Sequence, residues 1–146
     1  MKTHTALHAL SGVVFKNFGA KVTGGNMTPG EARMDFELDA ISVEFGQLVE
    51  RKLNSELTKG YSTEIVVMAR AEALKDPDLI RTKVNLIPEF VKEIRVVDIV
   101  GLDREADGGT HVASTLEVGR VELIKTESKG KANKRMRIRL VDALVP

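Results

Sequence analysis

The sequence predicts an α+β fold: a mostly antiparallel sheet of about five to seven strands, one or two helices, and a basic β-hairpin at the end. Three observations predict it. Met34, Phe36, Leu38 and Ala40 alternate with Asp35, Glu37 and Asp39, the period of two expected of a half-buried strand. Phe45, Leu48, Val49, Leu53 and Leu57 recur at helical spacing. Near the end, Val121 and Leu123, then Met136, Ile138 and Leu140, alternate with charged residues on either side of a turn-rich SKGKANK segment.

Taken in order, residues 6–22 hold Val13, Val14, Phe15 and Phe18 between Gly12 and Gly19, and read as one short strand or two. The segment TGGNMTPG (23–30) reads as a loop because glycine, asparagine and proline dominate it. The alternating strand from Met34 follows. Its phase slips by one at Ile41, Val43 and Phe45, which calls for a β-bulge near Ala40 or a change of element. An amphipathic helix is predicted over 46–58, stopped by Gly60. Tyr61 to Ala71 is rich in β-branched residues and reads as a strand. A short helix capped by Asp78 is expected over 79–87, and one turn starting at Pro88. Ile94 to Leu102 reads as another strand, Asp103 to Thr110 as a polar loop, and Gly119 as a bulge or close approach.

The chain has 146 residues, 42% of them hydrophobic and 29% charged, which fits one domain over 1–146 and argues against disorder. Cysteine is absent, excluding disulfides, thiolate metal sites and a cysteine nucleophile. No apolar run reaches the roughly 20 residues that span a bilayer, and the first residues lack a signal-peptide core. The expectation is a cytoplasmic protein with no membrane partner.

From Lys125 to Arg139 there are seven basic residues and one acid, Glu127, about +6 in a chain whose net charge is +1. Alternation places Arg135, Arg137 and Arg139 on one face, where guanidinium groups suit phosphate oxygens. Lys129, Lys131 and Lys134 would add less directional charge. The competing reading is a solvated sheet face whose bases pair across strands with Glu117, Glu122 and Glu127. Phe15 and Phe18, interleaved with lysines, are candidate base-stacking groups, or two core phenylalanines beside a turn.

Other motifs fail on inspection. Asp103, Glu105, Asp107 and Gly108 imitate the opening of a calcium loop, but Ser114 stands where a bidentate glutamate is needed. His4 and His8 stand four apart, and with only His111 left among the histidines they read as part of an exposed terminus. The glycine pairs lack the context of a phosphate-binding loop, and no nucleophile has a placed histidine.

These observations point to a non-enzymatic nucleic-acid-binding protein, for DNA or RNA, with no catalytic residue, metal or cofactor. Lys129, Lys131, Lys134, Arg135, Arg137 and Arg139 would contact phosphates, and Phe15 and Phe18 would stack on bases. The alternative is a self-assembling homo-oligomer, the acidic face at Asp35, Glu37 and Asp39 docking on the basic face of another copy. A small-molecule enzyme ranks third.

Overall fold

The structure, a computed structural model, describes residues 1–76, 90–107 and 109–141. The expected short helix over 79–87 and the turn at Pro88 lie outside the described residues. The fold is α+β with antiparallel sheets, and the described chain ends in a β-hairpin. In order come α1 (Lys2–Phe18), β1 (Val22–Thr28), β2 (Glu31–Phe36), α2 (Val43–Leu57), β3 (Thr63–Ala69), the single turn α3 (Arg70–Ala73), β4 (Glu93–Ile99), β5 (Asp103–Ala106), a 3-10 turn (Thr115–Val118), β6 (Arg120–Ser128) and β7 (Lys134–Val141). One sheet runs β1-β2-β7-β6 and the other β3-β4-β5.

The first element corrects the strand expected within 6–22. Ala6, Leu7, Ala9, Leu10, Val13 and Val14 are all buried, a stripe with helical period that the valines and Gly12 conceal when read locally. Gly19 closes α1 in the left-handed region, φ 68°, its N–H donating to the Phe15 carbonyl. Gly12 is needed inside the helix: a Cβ there would lie 2.6 Å from the Leu102 carbonyl oxygen, so its absence lets α1 approach the turn before β5.

A second correction concerns TGGNMTPG, which is mostly strand. Gly24 and Gly25 pair with Asp35 and Met34, and the reversal is confined to Pro29-Gly30, Gly30 having φ 84°. As an edge strand, β1 tolerates glycines that would weaken a central one. The phase slip is a change of element: the strand ends at Phe36, and Ser42 caps α2 by accepting from the Phe45 N–H at 3.0 Å. Asp103 to Ala106, expected as loop, pairs with β4 as β5. Gly119 follows the 3-10 turn, and the bulge of β6 falls between Leu123 and Lys125.

Ala32, Met34 and Phe36 from β2, Met136 and Ile138 from β7, and Val121 from β6 point inward against α1 and α2. Leu10, Val13, Val49, Leu53 and Leu57 complete that core. Ile94 and Val96 of β4 form a smaller cluster with Ala73. The β6 edge is occupied by α2: Asn54 exchanges hydrogen bonds with Val121 (2.8 and 2.9 Å), and Glu50 accepts from the Leu123 N–H at 2.7 Å. No described helix is long and apolar enough to cross a membrane.

Candidate metal centre

The first turns of α1 place His4 and His8 one above the other, because residues four apart share a helix face. That face meets β5, and the chain leaving β5 delivers Asp107 and His111 to the same place. The three imidazole rings stack around one another with centroids 4.2, 4.6 and 4.9 Å apart. Their Nε2 atoms converge on a single atom, Asp107 Oδ2, at 3.3 Å from His4, 3.7 Å from His8 and 2.9 Å from His111.

Two of the three rings are oriented from behind. His8 Nδ1 lies 3.3 Å from carboxylate oxygens of both Asp103 and Glu105. His111 Nδ1 lies 3.0 Å from Thr5 Oγ1, which also accepts from the Val112 N–H. Such contacts fix the tautomer and leave Nε2 for the centre. The loop is pinned by Arg95 on β4, which donates to the carbonyls of Asp107 (3.0 Å) and Gly109 (2.7 Å). Gly109 has to be glycine, since a Cβ there would run into the His4 ring.

The electrostatics suit a cation. Burial alone would raise the Asp107 pKa, but hydrogen bonds with His111 and His4 and the nearby His8 outweigh it and hold the carboxyl well below its usual range. Burial pushes the His111 imidazole below its ordinary value, against the opposing pull of Asp107, and so favours the neutral form that a metal needs. Three imidazoles and an ionised carboxylate, all donor atoms within 4.8 Å of one another, fit a borderline divalent ion such as zinc. A cavity of about 900 Å³ opens beside His4, walled by Met27, Leu116, Val118 and Leu140, with Lys2 and Glu117 also on its lining.

The residues expected to bind nucleic acid stand elsewhere. Arg135, Arg137 and Arg139 point to the outer face of the β1-β2-β7-β6 sheet, and each meets an acid: Arg135 is bonded to Asp35 at 2.8 and 3.1 Å, Arg137 to Glu127 at 3.1 Å, and Arg139 to Glu122. Lys129 also reaches Glu127, at 3.1 Å. Lys134 is buried on the opposite side, donating to Ser128 Oγ and the Gly130 carbonyl, and Lys131 is exposed in the hairpin loop. Phe15 and Phe18 belong to α1, which covers the inner face, so they do not share a face with the arginines. The Phe18 ring packs 4.7 Å from that of Phe45.

Asp35, the first member of the acidic face expected to dock on another copy, is buried and held by Arg135 and Arg33 of its own chain. The cluster escaped a reading by histidines alone. Its signal was a second pair at the same spacing, Asp107 and His111, matching His4 and His8.

The chain is similar to several proteins. Residues 94–137 match the model described as the second additional domain of threonyl and alanyl tRNA synthetases. The alanyl-tRNA editing protein AlaX-M of Methanosarcina barkeri is 34% identical over 142 residues, 97% of this chain and 58% of that protein. Its namesake from Saccharolobus solfataricus is 35% identical over 138 residues, 93% of this chain and 56% of that protein. The alanine–tRNA ligase of Methanococcus aeolicus is 32% identical over 130 residues, 87% of this chain and 14% of the ligase. The chain thus spans a little under three-fifths of the length of the editing proteins it matches.

These relatives overturn the expectation of a non-enzymatic nucleic-acid binder, and with it the rival reading as a structural self-assembling protein, because those covering nearly the whole chain are named as editing proteins. They give no support to a DNA partner either, since the names refer to tRNA. The charge pattern carries no trace of catalysis, and Arg135, Arg137 and Arg139 each meet an acid of their own chain.

Proposed function

We propose that this chain hydrolyses the ester linking an amino acid to the 3′ end of a tRNA, removing residues wrongly attached in place of alanine. The observation that carries the proposal is the convergence of His4, His8 and His111 on Asp107 at the wall of a cavity of about 900 Å³. That volume lies within the range of small-ligand sites and suits an aminoacylated terminal nucleoside. Similarity to editing proteins over 97% of the chain supports the same reading.

His4, His8, His111 and Asp107 would hold the ion. Zinc, when bound, supplies Lewis-acid activation of a carbonyl and of water. Asp103 and Glu105 orient His8, and Thr5 orients His111. The apolar wall from Met27, Leu116 and Val118 excludes bulk water from the ester, while Lys2 places positive charge where an RNA end would enter. Water adds to the carbonyl, the bond to the ribose oxygen breaks, and the amino acid and a free 3′ hydroxyl leave. Editing answers a specificity problem, because a site for alanine rejects a missing methyl or an added hydroxyl only weakly. Glycine and serine are therefore the expected leaving amino acids.

Removing metal with a chelator should abolish release of serine from tRNA specific for alanine, and stoichiometric zinc should restore it. His8→Ala should neither retain metal nor hydrolyse the ester. Undiminished hydrolysis by His8→Ala would refute the proposed site.

A further inference from the structure

We infer that the outer face of the β1-β2-β7-β6 sheet binds a backbone phosphate of the tRNA acceptor strand, through a row of cations formed by Arg33, Arg137 and Lys125. The inference rests on the proposed editing function for the identity of the RNA.

Cross-strand register sets three rows on this face. Glu31, Arg139 and Glu122 form one, and Asp35, Arg135 and Glu127 another, each a base between two acids. The row between them holds Arg33 opposite Arg137 and Arg137 opposite Lys125, with no acid. Like charges directly opposite destabilise a sheet, so this row is a local cost that an anion would relieve. The neighbouring acids do not suffice. Asp35 is shared by Arg33 and Arg135, and Glu127 by Lys125, Lys129 and Arg137, so five cations face two carboxylates.

At the row lies a depression of about 250 Å³ lined by Asn26, Thr28, Arg33, Ile124 and Arg137. Asn26 continues the row as the partner of Arg33, and the bulge between Leu123 and Lys125 leaves Ile124 50% exposed beside the cations. Guanidinium and amide donors suit a phosphodiester, and the two exposed apolar side chains there, Met27 and Ile124, suit a ribose or base edge. A membrane surface would call for a wider apolar stripe.

The depression also has a path to the candidate metal centre. Met27 and Thr28, at the end of β1 leading into the turn to β2, line both it and the cavity beside His4. An RNA strand crossing this turn would set its 3′ terminal ester at the histidines and an upstream phosphate on the row. With strands about 4.8 Å apart, the row is about 10 Å wide, enough for one strand and too narrow for a duplex.

The test is fluorescence anisotropy with labelled, unacylated tRNA over a salt series, comparing wild type with the triple variant Arg33→Gln, Lys125→Gln, Arg137→Gln. Circular dichroism and bound metal report whether the variant is intact. The triple variant should bind about tenfold or more weakly, its log–log salt slope shallower by roughly 0.7 for one phosphate on a single strand. Arg139→Gln, whose guanidinium already pairs with Glu122, should stay within about twofold of wild type. Unchanged affinity and slope in a folded triple variant would overturn the inference, as would row-dependent binding to anionic phospholipid vesicles without binding to tRNA. Serine release from 3′-seryl-adenosine by the wild-type chain, a substrate without phosphate, separately reads the histidine site. Failure there rejects the editing reading, while the tRNA titration still decides the phosphate row.

Discussion

Asp107 has to stay ionised in a half-buried position, and the histidines around it make that possible. Hydrogen bonds with His111 and His4 reverse the effect of burial, so the carboxyl remains ionised at any physiological pH. The residues behind the ligands matter in the same way. Asp103→Asn should weaken zinc binding about 10–100-fold in competition with a chromophoric chelator, because the carboxylate behind His8 Nδ1 raises ring basicity. Gly109→Ala should force the His4 ring aside and lower metal affinity with little loss of global stability; unchanged affinity would show that the loop has room to relax. Reading His4 and His8 as an exposed terminus is wrong, since His8 is buried and both belong to the cluster. His4 and His8 carry a visible spacing, but the residues that complete the site come from a strand exit far along the chain, which only the packing of α1 on β5 brings near.

The hairpin of β6 and β7 shows how charge pattern and charge function separate. Glu127 is pushed down to about 2, chiefly by its hydrogen bond with Lys129, with Arg137 and Lys125 adding to it against some desolvation. Its folded value lies below the unfolded one, so its contribution to stability is present above about pH 4 and is lost as pH falls towards 2. Glu127→Gln should therefore lower the urea midpoint at pH 7, with the difference shrinking as pH falls to 2 and vanishing below it. Asn54 offers a second test, because its amide substitutes for a strand partner of Val121. Asn54→Ala should cost about 1–3 kcal/mol in urea unfolding, the penalty of leaving those backbone groups unpaired. The α2 helix and the hairpin were both readable, each having an unbroken period. The α1 helix was not, because a glycine sits where the period had to be followed and its valines suggest a strand. β1 was hidden by glycines that an edge strand accepts.

At the scale of the molecule, α1 decides whether there is a site at all. It contacts β1, β2 and α2 in the main core and also β5 of the second sheet, so its position sets the distance between its own histidines and the Asp107–His111 loop. Gly12→Val should separate the two by driving α1 from the Leu102 carbonyl, costing about 1–3 kcal/mol as overpacking does and releasing metal before the chain unfolds. The most direct test of the account is the rate at which the purified chain releases labelled serine, glycine and alanine from tRNA specific for alanine. Rapid loss of serine or glycine, retention of alanine, and no release by His8→Ala are expected. No release above buffer from any of the three, or equal release by His8→Ala, would contradict it.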